Sequence, residues 1–210
     1  GNEEPIIKEY VEKYPDNIIY KKLDKDPGIY AVWNMGVEMA TGEFLTNANL
    51  DDRKAPDALK TLAKELFVAE DVDLVYSDMY ITQRPNETLE NNSSDGMKYN
   101  FEEFSLENLL RNNMPHAAPM WRKSLHKKYG HFNPKYKSAG DWEMWLRAAF
   151  EGSVFKKVNG VLGLYYFNPT GISTNPENFS WKREEEKEIF FTYKEKHNKS
   201  KEDDCASVIL

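Results

Sequence analysis

The residues best suited to chemistry lie in an acidic segment, Asn49-Leu50-Asp51-Asp52-Arg53, that follows the apolar run Phe44-Leu45. The apolar run predicts a strand, and in open α/β sheets ligands bind just beyond the carboxyl ends of the strands. Carboxylate and amide oxygens at such a place suit Mg²⁺ or Mn²⁺, which in turn hold phosphates. The same residues, followed by Ala55-Pro56-Asp57, are also typical of an ordinary turn before a helix. The segment alone leaves both interpretations open.

A second candidate is Asp141, which stands where a helix is predicted to begin. A carboxylate there can act as a general base that takes the proton from an attacking hydroxyl. Ser138 and Asp141 also have the spacing of a capping box, in which the serine caps the helix and the acid stabilises its first turn. In that case the positive end of the helix lowers the pKa of Asp141.

Three further side chains are candidates for contacting an acceptor. Trp142 and Trp145 offer aromatic surface to a sugar, but aromatic residues at helical spacing more often form the buried side of a helix. His116, in Met114-Pro115-His116-Ala117-Ala118, is a candidate for lining an acceptor pocket, and a packed histidine explains it equally well.

Composition excludes several classes of protein. The chain has 210 residues, a net charge of -7 and 40% hydrophobic residues, which is typical of one folded domain and argues against a nucleic-acid binder. A single cysteine, Cys205, excludes an internal disulfide and a zinc site built on several thiolates. No apolar run approaches the roughly 20 residues that cross a bilayer, so we expect a cytoplasmic domain.

Alternating helix and strand patterns predict an α/β sheet. Helices are predicted at residues 5–14, 28–40, 56–69, 104–111, 122–129, 141–151 and 177–198, and strands at 18–23, 43–48, 72–82 and 154–167. In the first helix, Ile6, Ile7, Tyr10 and Val11 form a stripe that we expect to face the core. The polar stretch 84–98 lacks periodicity and predicts a solvated loop, with a lid as the alternative.

Four segments in this order resemble the family 2 glycosyltransferases, which have the GT-A fold. The segment Pro27–Gly36 resembles the helix that leads into the metal-site strand, and Asn49-Leu50-Asp51-Asp52 resembles the family's Asp-x-Asp-Asp signature. The acceptor-side segment is matched by 120–123 together with 129–132, and the helix with the catalytic aspartate by 140–147. The resemblance therefore implies a GT-A three-layer α/β sandwich.

The resemblance also implies roles for individual residues. Asp51 and Asn49 would coordinate Mn²⁺ or Mg²⁺, and Asp52 and Arg53 would join them in contacting the nucleotide sugar. Asp141 would be the catalytic base. The acceptor, a glycan or a lipid-linked sugar, would be contacted by three side chains: His116, Trp121 and Trp142. One base opposite one leaving group implies an inverting transferase, with a UDP-sugar as the expected donor.

Three features depart from the family pattern. Asn49 stands where the signature has its first acid, and Gly140 where the family often has Glu. The third is the beginning of the chain, because family members open with a nucleotide-binding strand that we expect to precede Gly1 in a longer protein. We therefore expect an N-terminally truncated GT-A domain at residues 1–198, with a flexible tail at 199–210.

Two functional hypotheses follow from the sequence. The first is a metal-dependent glycosyltransferase of cell-surface or extracellular polysaccharide synthesis, at the inner face of the membrane with a membrane-associated partner. The alternative is a non-catalytic sugar- or partner-binding domain that keeps the transferase scaffold, since fold does not imply function.

Overall fold

The computed structural model describes residues 3–116 and 118–207. Its helices are α1 (Glu4–Lys13), α2 (Ile29–Met39), α3 (Ala58–Val68), α4 (Leu106–Arg111), α5 (Ser124–Tyr129), α6 (Gly140–Phe150) and α7 (Phe179–Ser207), with a 3-10 helix at Pro176–Asn178. Its strands are β1 (Phe44–Thr46), β2 (Arg53–Lys54), β3 (Leu74–Thr82), β4 (Lys98–Tyr99), β5 (Met120–Arg122) and β6 (Phe155–Tyr166). The alternation of helix and strand was predicted from the sequence.

The strands form one mixed sheet with β3 at its centre. The order is β1-β5-β3-β6-β2, and β4 pairs with β3 off this path. β3 runs parallel to β6 and antiparallel to β4 and β5, while β1 is antiparallel to β5 and β2 to β6. At one level of the sheet Leu74 lies between Trp121 of β5 and Phe155 of β6.

Successive residues of β3 face different helical layers, because side chains alternate along a strand. Leu74 and Tyr76 belong to the larger core, which includes Trp145 of α6. Val75 belongs to a second core that contains Leu66 of α3. The sheet is thus covered by α3 on one face and by α2, α4, α6 and α7 on the other. This is the three-layer α/β sandwich that the family resemblance implies.

One predicted element is absent, and another begins later than predicted. Residues 18–23 form no strand, because a strand needs a partner and none lies beside this segment in the described sheet. The helix predicted at 122–129 begins only at Ser124, since Arg122 pairs with Phe44 in the sheet. Its guanidinium also donates to the carbonyls of Val72 and Leu66, which fixes β5 against the end of α3.

The first and last helices differ from expectation in their surroundings. α1 forms as predicted, yet it has no buried residue, and Ile6 and Tyr10 are exposed, so the expectation that its stripe faces the core is wrong. α7 packs through Ile189 and Tyr193 on the larger core and extends to Ser207, beyond the predicted end at residue 198. Of the predicted tail, residues 208–210 lie outside the described part of the chain. No described helix is long and apolar enough to span a membrane.

Candidate active site

The acidic segment leaves the sheet at the carboxyl end of β1, where it forms a turn before β2. Its half-buried member Asp52 points inward: Oδ2 accepts from Asn49 Nδ2 at 2.8 Å, and Oδ1 accepts from the Tyr166 backbone N–H at 3.2 Å. Burial, with a smaller contribution from the charge of Asp51, raises the pKa of Asp52 to about 6. Asp52 therefore ties the turn to β6.

Asp51 and Arg53 occupy the outer side of this turn, and both are exposed. Asp51 Oδ2 accepts from Asn168 Nδ2 at 3.2 Å. The Arg53 guanidinium donates to the Asp52 carbonyl at 2.9 Å and to Asn86 Oδ1 at 2.8 Å. Asp51 thus presents a solvent-facing carboxylate on a turn whose backbone is hydrogen-bonded by Arg53.

The oxygen donors of the turn can be tested against the expected divalent cation. In the described residues no three His, Cys, Asp or Glu side chains form a metal-binding group. Asp51 and Asn49 nevertheless supply a carboxylate and an amide oxygen, which are hard ligands. Because Mg²⁺ is often held by one or two carboxylates together with water and substrate phosphates, this donor set fits a cation shared with a diphosphate.

Asp141 lies in the first turn of α6 and is only 8% exposed. Its Oδ1 accepts from the Tyr30 hydroxyl at 2.9 Å, and its Oδ2 accepts from Asn113 Nδ2 at 2.7 Å. Burial raises the pKa of Asp141, and these two hydrogen bonds oppose the rise. The carboxylate is therefore buried and hydrogen-bonded at both oxygens by neutral donors, and its raised pKa favours protonation.

The predicted capping box does not form. The N-cap of α6 is Ala139 and has no side-chain capping bond. Ser138 Oγ makes no hydrogen bond within the described part of the chain. The Ser138 backbone N–H, which the acid of a capping box would accept from, donates instead to the carboxylate of Glu185 on α7. The interpretation of Asp141 as a capping acid with a lowered pKa is therefore wrong.

The described residues of 113–120 link the two halves of the site. Asn113 holds Asp141, and the carbonyl of Pro119 accepts from Thr46 Oγ1 at 2.6 Å, at the end of β1. Between them the ring of His116 lies 4.9 Å from that of Tyr165, the residue before Tyr166 in β6. One short segment thus contacts Asp141, the end of β1 and β6, the strand to which Asp52 is bonded.

His116 sits in a cluster of aromatic rings. Its centroid lies 4.7 Å from that of Tyr99 and 6.0 Å from that of Phe101, in addition to Tyr165. Burial lowers its pKa to about 4, so the imidazole is neutral at physiological pH. Its backbone has φ = 40°, a conformation that bulky residues rarely adopt. His116 therefore remains a candidate for contacting an acceptor, as one wall of an aromatic surface.

The two tryptophans proposed as acceptor contacts are core residues. Trp121 is 3% exposed and donates from Nε1 to His126 Nε2 at 2.9 Å. Trp142 is 8% exposed and donates to the Leu109 carbonyl at 2.7 Å. Both rings are packed in the larger core, so their role as acceptor contacts stays a prediction without support from exposed ring surface. Trp145 is also fully buried, as its helical spacing indicates.

Sequence reasoning missed two residues of the site, Tyr30 and Asn113. Tyr30 lies 111 residues from Asp141 in the chain and reads as an ordinary core aromatic of α2. Asn113 lies in a short polar stretch after α4 and gives no motif. The one available signal was Gly140, a residue without a side chain beside Asp141.

Comparison with known proteins decides the family. The model of the family described as "Glycosyl transferase family 2" matches residues 2–130, which is more than half of the chain. The chain belongs to glycosyl transferase family 2. A Mycobacterium tuberculosis protein, a PGL/p-HBAD biosynthesis glycosyltransferase, is 30% identical over 152 residues, which are 71% of this chain and 55% of that protein.

A second relative and a solved structure are also similar to this chain. An uncharacterized glycosyltransferase of Bacillus subtilis is 29% identical over 161 residues, 75% of this chain and 58% of its own length. The structure of S. aureus TarS 1-349 in complex with UDP has a TM-score of 0.62 at 19% identity, covering 89% of this chain and 52% of that one. These neighbours show that the fold is GT-A. This chain spans little more than half of the length of these two relatives.

Proposed function

We propose that this chain is the catalytic part of an inverting glycosyltransferase that moves a sugar from a nucleotide-diphosphate donor to a hydroxyl of a glycan or lipid-linked acceptor. The pathway we propose is cell-surface or extracellular polysaccharide synthesis. The observation that carries the proposal is the buried Asp141 carboxylate, held at both oxygens beside the segment that leads to the acidic strand end.

Asp141 is the proposed general base. Each carboxylate oxygen has two lone pairs, so an oxygen that accepts a hydrogen bond from Tyr30 or Asn113 has a lone pair left to take the proton of an acceptor hydroxyl. Burial raises the pKa of Asp141, which favours uptake of that proton. As the acceptor oxygen bonds to the anomeric carbon, its proton passes to Asp141, and the bond from that carbon to the diphosphate breaks with its electron pair on the leaving oxygen.

The turn from Asn49 to Arg53 is the proposed donor side. Asp51 and Asn49 would hold a divalent cation together with the diphosphate, and that cation supplies neutralisation of the leaving group's charge. The exposed guanidinium of Arg53 and the turn braced by Asp52 keep Asp51 at the strand end. The GT-A neighbours give the candidate donors, since TarS was solved with UDP and a Pyrobaculum calidifontis mannosyltransferase with GDP-Man and Mn2+.

The acceptor side is proposed to be the aromatic surface of His116, Tyr99 and Tyr165. Sugars present apolar C–H faces that pack on aromatic rings, and a neutral imidazole keeps a nitrogen for a hydroxyl. The position of His116, three residues after the asparagine that holds the base, supports an acceptor there rather than elsewhere on the chain.

A donor screen tests the proposal. The chain is incubated with Mn²⁺, a panel of UDP- and GDP-sugars and a mixture of oligosaccharide and lipid-linked acceptors, and release of UDP or GDP is measured. We expect release that depends on acceptor, and a product whose anomeric configuration, read by proton NMR, is opposite to that of the donor. Retained configuration would contradict the mechanism, and acceptor binding without any turnover would favour a non-catalytic binding domain.

A further inference from the structure

The interior beside the proposed base has an unusual arrangement: a glycine on one helix faces a tyrosine on another. Gly140 begins α6, and the ring of Tyr30 from α2 lies directly over it. A Cβ placed on Gly140 would stand 2.7 Å from both Cδ2 and Cε2 of the Tyr30 ring, closer than real Cβ contacts come. The tyrosine ring therefore occupies the volume that any side chain at position 140 would need.

The same ring places its hydroxyl on the neighbouring carboxylate. Tyr30 is 3% exposed, and its hydroxyl donates to Asp141 Oδ1 at 2.9 Å. The ring is fixed by Trp33, edge-on at 5.5 Å, and by Phe132, stacked at 6.0 Å. Gly140, Trp33 and Phe132 therefore pack around the ring and hold its hydroxyl against the Asp141 carboxylate.

From this geometry we propose that Tyr30 is a positioning residue for Asp141, and that position 140 is a glycine because the Tyr30 ring needs its space. The proposal rests on the proposed function, since it assigns Tyr30 a part in orienting the base of that reaction. Tyr30 does not contact the reacting atoms; it acts through the carboxylate.

The electrostatics agree with a fixed donor. Burial, and next the charge of Asp141, raise the pKa of Tyr30 well above its ordinary value, so the phenol keeps its proton. The groups that face the Asp141 carboxylate are Tyr30 from α2, Asn113 after α4, and the backbone N–H groups of Asp141 and Trp142 on α6. Tyr30→Phe removes one of these donors while the ring stays, so the ionised carboxylate is less stabilised and its pKa rises.

The chain offers a closely matched control. Tyr193 of α7 is also buried, and its hydroxyl donates at 2.9 Å to a carboxylate on the same helix α6, that of Glu143. Tyr193→Phe therefore removes a buried phenol–carboxylate bond of equal length without touching Asp141. A merely structural role of Tyr30 predicts the same behaviour for both variants.

The first experiment measures the protonation of Asp141 directly, without any substrate. The chain is labelled with ¹³C at the aspartate carboxyls, the Asp141 signal is assigned with Asp141→Asn, and it is followed from pH 3 to pH 9. We expect Tyr30→Phe to move the titration of Asp141 to higher pH and Tyr193→Phe to leave it unchanged. An unmoved titration in Tyr30→Phe, or an equal shift in Tyr193→Phe, would overturn the proposal.

A second experiment tests the claim on Gly140 and serves if Tyr30→Phe does not fold. Gly140→Ala should displace the Tyr30 ring and move the Asp141 titration in the same direction, whereas Gly36→Ala in α2, where nothing lies within 4 Å of the added Cβ, should not. In a Tyr30→Ala background, Gly140→Ala should cause no further shift. A further shift there would overturn the claim that the two residues share one space.

Transfer assays separate this inference from the proposed function. If the chain transfers sugar, Tyr30→Phe should lower the rate by roughly tenfold, the size expected for one lost hydrogen bond to a charged group, and move the acidic limb of the pH–rate profile upward. If no sugar is transferred while the carboxyl titration still moves, the proposed function fails and the link between Tyr30 and Asp141 stands.

Discussion

The two carboxylate regions of this molecule are built in opposite ways. Asp141 is 8% exposed and receives neutral donors from two elements distant in sequence. Asp51 is exposed, sits on a turn of a few residues, and accepts a hydrogen bond from the Asn168 side chain at 3.2 Å. The first carboxylate is fixed by the core, whereas the second is fixed only by its own turn.

The difference fits the proposed roles of Asp141 as general base and Asp51 as donor-side ligand. A general base must meet one proton at one place, so a rigid, buried carboxylate with a raised pKa suits the task. A site for a cation and a diphosphate takes several of its ligands from the substrate, so its protein part needs reach and charge more than burial. Substitutions in the buried region around Asp141 should therefore affect turnover without changing nucleotide affinity.

The largest expected effect is that of Asp141→Asn. The amide cannot take the acceptor's proton, so we expect the transfer rate to fall by about 100-fold or more. The fold should persist, because an amide fills the same volume. Transfer by Asp141→Asn at a tenth or more of the unsubstituted rate would remove Asp141 from the role of base.

Asn113→Ala should have the next largest effect. It removes the donor to Asp141 Oδ2, so we expect roughly a tenfold loss of rate and an acidic limb of the pH–rate profile displaced to higher pH. UDP affinity, measured by calorimetry, should be unchanged. The exposed neighbour Asn112 supplies the control, since Asn112→Ala should alter neither quantity.

On the donor side, Asp52 predicts a dependence of stability on pH. Its folded pKa of about 6 lies above the unfolded value of about 3.9, so the folded chain binds the proton more tightly. Stability should therefore fall as pH rises from about 4 through 6, by about 1 kcal/mol after discounting for partial exposure. Urea unfolding should show that Asp52→Asn removes this loss, while the exposed Asp71→Asn keeps it.

The smallest effect is expected for Asn49→Asp, which restores the first acid of the family signature. A second carboxylate beside Asp51 should strengthen Mn²⁺ binding a few-fold, and only that much, because the substitution also loses the Asn49 donor to Asp52. Titration of Mn²⁺ in the presence of UDP measures this. Weaker Mn²⁺ binding by the variant would show that the Asn49 brace contributes more than the added charge.

The sequence predicted the helices and strands with strong periodicity, because their apolar spacing is local information. It failed at residues 18–23 because the presence of a partner strand is not local. It placed Asp51 and Asp141 correctly at a strand end and a helix start. It could not find Tyr30, since the contact spans 111 residues, although Gly140 in place of the family's frequent Glu marked a space that another side chain had to fill.

The proposed separation of a buried base at Asp141 from an exposed donor site at Asp51 is tested most directly by calorimetric titration. UDP is titrated into the chain with and without Mn²⁺, and the titration is repeated on Asp51→Ala and Asp141→Asn. We predict Mn²⁺-dependent binding that Asp141→Asn leaves unchanged and Asp51→Ala weakens by about tenfold or more. Equal UDP affinity in Asp51→Ala and the unsubstituted chain would contradict the account, because the exposed turn would then not be the donor site.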